Sequence, residues 1–151
     1  MEANLFLIIA LSLAASMLLG IMIGRAFKKQ ASGWRRGKIA IGASTVSGRG
    51  VFATERIKDG TIIERCPAIE VGEKDIDGEL VNYVFYGSTE TKRLVVMGYG
   101  MLFNHSSSPN VAYYREESPI GAELILYALR DIKKGEELFY HYGDEWWNTR
   151  Q

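Results

Sequence analysis

The sequence predicts a mostly β domain of small sheets behind a single N-terminal membrane-spanning helix. Three observations predict it. Residues 3–24 carry no charge and are almost continuously apolar. Beyond them the chain breaks into short, β-branched segments bounded by glycines, and only one stretch there has helical periodicity. A chain of 151 residues, 47% hydrophobic, is sized for one domain and has enough apolar surface to bury a core.

The first element is the apolar run Leu5–Gly24, which contains nothing more polar than serine. Twenty residues at a helical rise of about 1.5 Å span roughly 30 Å, the thickness of a bilayer's hydrocarbon core. A cleaved signal peptide would need a basic leading segment, a shorter apolar stretch and a small-residue cleavage site. Here only Met1-Glu2-Ala3-Asn4 precedes the run, and Arg25, Lys28 and Lys29 follow it. Residues 1–29 therefore read as an uncleaved anchor with a basic flank. Residues 30–37 read as a linker, 38–147 as the folded domain and 148–151 as a tail.

Six basic residues lie between Arg25 and Lys38, against Glu2 on the other side of the run. By the positive-inside rule the protein is a single-pass membrane protein with its C-terminal domain in the cytoplasm, and the lipid bilayer is its first partner. Ser12, Ser16, Gly20 and Gly24 form a ladder of small residues that could pack against a second copy, so a homodimer through the helix is an expectation.

Within the domain, strands are expected at Lys38–Ala43, Gly50–Ala53, Thr61–Arg65, Arg93–Met97, Asn110–Tyr114, Glu123–Leu129 and Glu137–Tyr142. One helix is expected at Asp75–Phe85, where Ile76, Leu80, Val81 and Val84 recur at helical spacing around an unfavourable Gly78. The chain also echoes itself. Ala53-Thr-Glu-Arg-Ile-Lys-Asp-Gly60-Thr-Ile-Ile63 resembles Ala128-Leu-Arg-Asp-Ile-Lys-Lys-Gly135-Glu-Glu-Leu138, which predicts two similar hairpin-like corners.

Charge is balanced overall at 18 basic and 18 acidic residues, but residues 35–151 hold 15 basic and 17 acidic. Such a domain lacks the basic face that sequence-independent nucleic-acid binding needs, and suits a cationic peptide better. Cys66 is the only cysteine, so no intramolecular disulfide can form, and a buried apolar role is expected of it. No metal is expected, because His105 and His141 are the only histidines and no ligand cluster accompanies them.

Three segments concentrate polar and aromatic chemistry: Ser47-Gly-Arg-Gly-Val-Phe-Ala53, Gly98-Tyr-Gly-Met-Leu-Phe-Asn-His-Ser-Ser-Ser-Pro-Asn110 and Gly135-Glu-Glu-Leu-Phe-Tyr-His-Tyr-Gly-Asp-Glu-Trp-Trp147. Taken singly they read as a turn before a strand, a capped turn with a histidine, and an aromatic edge of the core. If the last is a strand, Tyr140 and Tyr142 share one face and His141 takes the other.

In this order and spacing, the three resemble the SET-domain family of S-adenosylmethionine-dependent protein-lysine methyltransferases. The match lies in Gly48-Arg-Gly50, in Asn104-His-Ser-Ser-Ser-Pro-Asn110 and in Glu137-Leu-Phe-Tyr-His-Tyr142, and it covers about residues 38–147. The similarity is greatest to the minimal viral and bacterial-type SET proteins. It implies a β-clip fold of small curved sheets, in which the Asn-His segment and the C-terminal segment cross as a pseudoknot. It also implies roles. Gly48, Arg49, Gly50, Asn104 and His105 would hold S-adenosylmethionine. Trp146 or Trp147 would cover it or the peptide end, Trp147 being assigned to the cofactor. Tyr142 and Tyr83 would line the methyl-transfer channel. Tyr140 would favour monomethyl-lysine as product. The substrate implied is a lysine-containing protein or peptide, with a histone as the family default. A catalytically inactive SET module that binds a lysine-bearing partner at the membrane is the alternative. Ser107, His141 and Arg49 depart from residues common in the family, and these departures bear on substrate choice.

Overall fold

A computed structural model describes residues 35–144 and Trp146, all within the compact unit Trp34–Gln151. The expected anchor at 1–29, residues 30–34 of the linker, Trp147 and the expected tail 148–151 lie outside the described residues. Among the described residues, no helix is long and apolar enough to cross a membrane.

Among the described residues, ten strands form two five-stranded sheets. The first sheet contains β1 (Arg35–Arg36), β2 (Ile39–Ala43), β3 (Arg49–Ala53), β7 (Asn104–His105) and β10 (Glu137–Tyr140), in the order β1-β2-β3-β10-β7. The second contains β4 (Ile62–Gly72), β5 (Phe85–Tyr86), β6 (Lys92–Val96), β8 (Val111–Ser118) and β9 (Gly121–Ala128), in the order β5-β6-β4-β9-β8. The expected β architecture of small sheets is therefore observed. The first sheet starts inside the segment expected as linker, because the turn at Gly37 folds Arg35–Arg36 back onto Ile39–Ala40.

The helix expected at Asp75–Phe85 does not form. Two 3-10 turns, Glu73–Asp75 and Gly78–Asn82, take its place, and Phe85 begins β5. Gly78 sits at φ +59°, which breaks the helical path, and Asp77 caps the second turn by accepting from the Gly78 N–H. Ile76, Leu80 and Val81 stay partly or largely exposed, so the apolar period that suggests a helix packs no face against the core.

The two echoing segments meet. Ile57 and Ile132 exchange both backbone hydrogen bonds (3.0 and 2.8 Å). Around them Gly60 N donates to Ala128 O and Gly135 N to Ala53 O, at 2.9 and 2.8 Å. The outer bonds follow the same symmetry: Ala53 N to Glu136 O, and Ala128 N to Thr61 O. Gly60 and Gly135 both take positive φ (+71° and +85°), which the tight corners require and other residues reach at a cost. Ile57 and Ile132 are fully buried between the corners. This pairing delivers β3 and β10 side by side, antiparallel, with Leu138 opposite Val51.

The core draws on both sheets, through Ile39, Val51, Leu94, Leu124, Leu126 and Leu138 among others. Cys66 is part of it, and burial pushes its thiol up to about 12, so it is neither nucleophile nor thiolate at neutral pH.

Candidate active site

β10 positions the site because it lies between β3 on one edge and β7 on the other. Phe139 pairs with Asn104 and Tyr140 with His105, in parallel register. Asn110 extends the grip as a backbone mimic. Its amide nitrogen donates to Glu137 O at 2.8 Å and its amide oxygen accepts from Phe139 N at 2.8 Å. An apolar residue there would deprive two part-buried backbone groups of β10 of these partners. Two motifs far apart in sequence are thereby fixed to one strand.

The Asn104 amide nitrogen reaches three acceptors: Ser47 O (3.2 Å), Arg49 O (3.0 Å) and Glu137 Oε1 (3.0 Å). Ser44 Oγ donates to the other Glu137 oxygen at 3.0 Å and accepts from Val46 N at 3.0 Å. Gly50 is buried against this junction, where a Cβ would collide with the Glu137 carboxylate. Its missing side chain thus makes room for Glu137 and Asn104, whereas Gly48 and Arg49 face outward. Glu137 organises the whole loop 44–50, a role the sequence does not display because its partners lie 33 and 93 positions away.

Tyr142 is pinned at both ends. Its N–H donates to His105 Nδ1 at 3.2 Å and its hydroxyl donates to Phe103 O at 2.8 Å. An Nδ1 that accepts must be unprotonated. Burial, and then the neighbouring His141 ring 4.8 Å away, hold His105 below its ordinary value and keep it neutral. Burial, and then Tyr83, raise the Tyr142 phenol, so it is neutral as well.

Two cavities flank these residues. A groove of about 1150 Å³ is lined by Ser47, Gly48, Arg49, Phe103, Asn104 and His105. A smaller cavity of about 310 Å³ is lined by aromatic side chains, including Phe85, Tyr113 and Tyr140, with Glu73 and Arg93 ion-paired at its edge. Asn82, Tyr83, Tyr142 and Trp146 line both. Trp146 packs on Tyr142 with ring centroids 5.0 Å apart. Tyr140 lies 5.2 Å from Tyr142 and is buried among Phe85, Phe103 and Tyr113. Of the residues singled out in the sequence, Gly48, Arg49, Asn104 and His105 thus share the groove, Tyr83 and Tyr142 form the wall, and Tyr140 lies behind it. Tyr113 and Phe85 join them without having been singled out, and Glu137, quoted only within a motif, joins them without having been given a role.

The SET domain family matches residues 48–143, from the first glycine of this loop to the residue after Tyr142. The chain belongs to the SET-domain family. It is 36% identical over 104 residues to the H3 lysine-37-specific histone-lysine N-methyltransferase of Schizosaccharomyces pombe, covering 66% of this chain and 69% of that one. It is 33% identical over 131 residues to a histone-lysine N-methyltransferase of Oryza sativa subsp. japonica, covering 77% of this chain and 12% of that one. Among solved structures, a Plasmodium falciparum chain assigned to the histone methyltransferases superposes with a TM-score of 0.66 at 36% identity, over 75% of this chain and 99% of that one. A polycomb repressive complex 2 chain bound to S-adenosylmethionine superposes with a TM-score of 0.59 at 25% identity, over 70% of this chain and 15% of that one. The SET protein is an S-adenosylmethionine-dependent protein-lysine methyltransferase.

The groove fits that group chemically. The two carbonyls of Ser47 and Arg49 are held by Asn104, the space beside Gly48 is open, and the groove suits a ligand of nucleoside size.

Proposed function

We propose that this SET protein methylates the side-chain amine of a lysine in a basic protein segment, on the cytoplasmic side of a membrane to which residues 1–29 anchor it. The observation that carries the chemical part is the shared wall. A polar groove and an aromatic cavity, on opposite sides of Tyr83, Tyr142 and Trp146, can each admit one ligand and bring the two together only there. The uncharged run Leu5–Gly24 and its basic flank support the membrane part, and the small-residue ladder supports a helix-mediated homodimer.

In this reading Gly48, Arg49, Asn104 and His105 hold S-adenosylmethionine, with Gly50 shaping their loop and Trp147 covering the ligand. When bound, it supplies an electrophilic methyl group on a positively charged sulfonium. The aromatic cavity holds the lysine. A free lysine has a pKa near 10.4, so neutralising it at pH 7 costs about 4–5 kcal/mol. Tyr83, Tyr140 and Tyr142 reduce that cost by stripping water from the ammonium, and proximity to a cation adds to it.

Tyr142 then orients the amine. Its own proton is committed to Phe103 O, so its lone pairs face outward and accept from the lysine N–H. Its raised pKa rules out a tyrosinate base, which leaves alignment of the nitrogen lone pair as its contribution. Tyr140 limits the space behind the amine and favours monomethyl-lysine. A net excess of acidic residues in the domain suits a cationic, histone-like segment, the class on which the S. pombe relative acts.

The test is incubation of the full chain with labelled S-adenosylmethionine and either core histones or a membrane-containing lysate, followed by mass spectrometry. Label on lysine, chiefly one methyl per site, is expected. Cofactor binding without transfer to any protein would contradict the reading. Carbonate extraction addresses the anchor separately: the protein should stay in the membrane pellet, and release by carbonate would contradict anchoring.

A further inference from the structure

The charged pair at the edge of the aromatic cavity is sorted by burial. Among the described residues that line the cavity, Glu73 is the only carboxylate and Arg93 the only cation. The Arg93 side chain is 16% exposed and that of Glu73 57%, so the cation lies on the inner side and the carboxylate on the outer.

The pair is held at both ends. Arg93 stands on β6 between Val71 of β4 and Tyr86 of β5. Its Nη1 donates to Glu90 O and Lys92 O at 2.7 and 2.8 Å, and its guanidinium lies 5.2 Å from the Tyr86 ring centroid. Its Nη2 donates to Glu73 Oε1. The Glu73 main chain is fixed as well, since its N–H donates to Thr91 O at 2.9 Å, one residue before β6. Most surface ion pairs order two long side chains and gain little from it. Here the contacts that Arg93 makes without Glu73 already order the guanidinium, and its planar fork sets the carboxylate.

Among the described residues, only Oε1 of the Glu73 carboxylate is engaged. Oε2 keeps its lone pairs for another donor at the mouth of the cavity. The polarity of the pair suits methyl transfer. A carboxylate on the inner side would hold the target lysine as its ammonium and oppose its neutralisation. With Arg93 there instead, that pull is offset, and the carboxylate acts on what lies outside, the residues beside the target lysine. A carboxylate with a free oxygen accepts well from a guanidinium or an ammonium.

We infer that Glu73, positioned by Arg93, is a specificity-determining residue that selects substrates carrying a basic residue beside the target lysine. This rests on the proposed function and adds to it which neighbour the lysine must have.

The test uses the full chain, S-adenosylmethionine and peptides spanning a lysine that the chain methylates in core histones or in a lysate. Arginine, alanine or glutamate is placed singly at each of the two positions before and after that lysine. The readout is the ratio of kcat/KM for the arginine over the alanine peptide at each position. One position should favour arginine about fivefold, the upper end for an exposed ion pair, and mostly through KM. In about 1 M salt, where screening acts within about 3 Å, the preference should shrink. Glu73→Gln should bring the ratio at that position close to one, and Glu73→Lys should make the glutamate peptide better than the arginine one. Arg93→Lys keeps the charge and loses the planar contacts, so it should weaken the preference. Calorimetric titration with S-adenosylhomocysteine reports that each variant is folded. An arginine preference that survives in Glu73→Gln, or no preference at any position in the unmodified enzyme, would overturn the role of Glu73 and leave methyl transfer standing. No methyl transfer by the unmodified enzyme to any protein would overturn both.

Discussion

The groove and the cavity on either side of Tyr142 are built by different means. The groove is shaped by backbone: carbonyls of Ser47 and Arg49 gathered by the Asn104 amide, a glycine that admits Glu137, and a histidine that accepts from a main-chain N–H. The cavity is shaped by rings, packed at centroid distances of 5.0 to 5.9 Å. Backbone groups bind a ligand whose polar atoms are always the same, and their geometry changes little when side chains vary. Rings discriminate by volume and by a few hydroxyls, so a single oxygen can change which substrate or product fits. In the proposed function the groove holds the methyl donor and the cavity holds the lysine.

The comparison predicts that substitutions in the wall affect turnover, whereas those in the groove affect binding. The largest effect belongs to Tyr142→Phe, which removes the hydroxyl bonded to Phe103 O and keeps the ring. Turnover should fall about 100-fold, the scale of a lost alignment, while calorimetry shows nearly unchanged cofactor affinity. Equal losses in both would merge the two regions. Next comes Asn104→Ala, which leaves Ser47 O, Arg49 O and Glu137 without their shared donor. Cofactor affinity should drop about tenfold and stability by about 1–2 kcal/mol, read by titration and thermal melting. Full affinity in this variant would remove Asn104 from the groove's machinery.

A smaller effect follows from His105. Its folded-state pKa lies below the ordinary 6.5, so as pH falls the unfolded chain takes up the proton first. The stability due to neutral His105 is complete above about pH 6.5 and is lost as pH drops through the folded-state value. Melting temperature should therefore decline between about pH 6.5 and 5, before the carboxylates held low by Arg130 and Arg56 begin to protonate. His105→Asn, whose oxygen can take the Tyr142 N–H, should flatten that decline. An unaltered slope would remove His105 as its source.

The smallest effect lies outside both regions. Glu64 is buried, with Oε1 on Arg36 at 3.0 Å and Oε2 unpartnered. Burial, outweighing the Tyr99 amide and Arg36, raises its pKa, so its ionised form costs stability at neutral pH. Glu64→Gln should gain about 1 kcal/mol at pH 7 and nothing once the pH falls below both pKa values, checked by melting at pH 7 and 4. A loss at pH 7 would mean that the Arg36 pair outweighs desolvation.

What could be read from the sequence follows the range of the interactions. Strands with sustained β-branched patterns were legible, among them β2, β6 and β9. The two-residue strands β5 and β7 were not, since two residues display no period. β4 runs on to Gly72, well beyond Arg65, because Pro67, though it donates nothing, pairs with Glu123 and accepts from Met97 N. Residues 76–84 suggested a helix because they contain apolar residues at the right spacing, and Gly78 decided otherwise. Asn104, His105 and Tyr142 were legible through motif spacing alone. The role of Glu137, though it opens a motif, and that of Tyr113 were not, since one acts through contacts across the sheet and the other through a cavity closed only when β8 and β10 meet.

The most direct test of the wall is a crystal structure of the full chain with S-adenosylhomocysteine and a lysine peptide. The account predicts the nucleoside in the groove beside Gly48 and His105, and the lysine stem in the aromatic cavity. The lysine nitrogen should lie within about 5 Å of the thioether sulfur, past Tyr142, as expected when the reacting atoms align at about 3–3.5 Å. Both ligands on one side of Tyr142, or a nitrogen stranded on the far side of an unbroken wall, would contradict it.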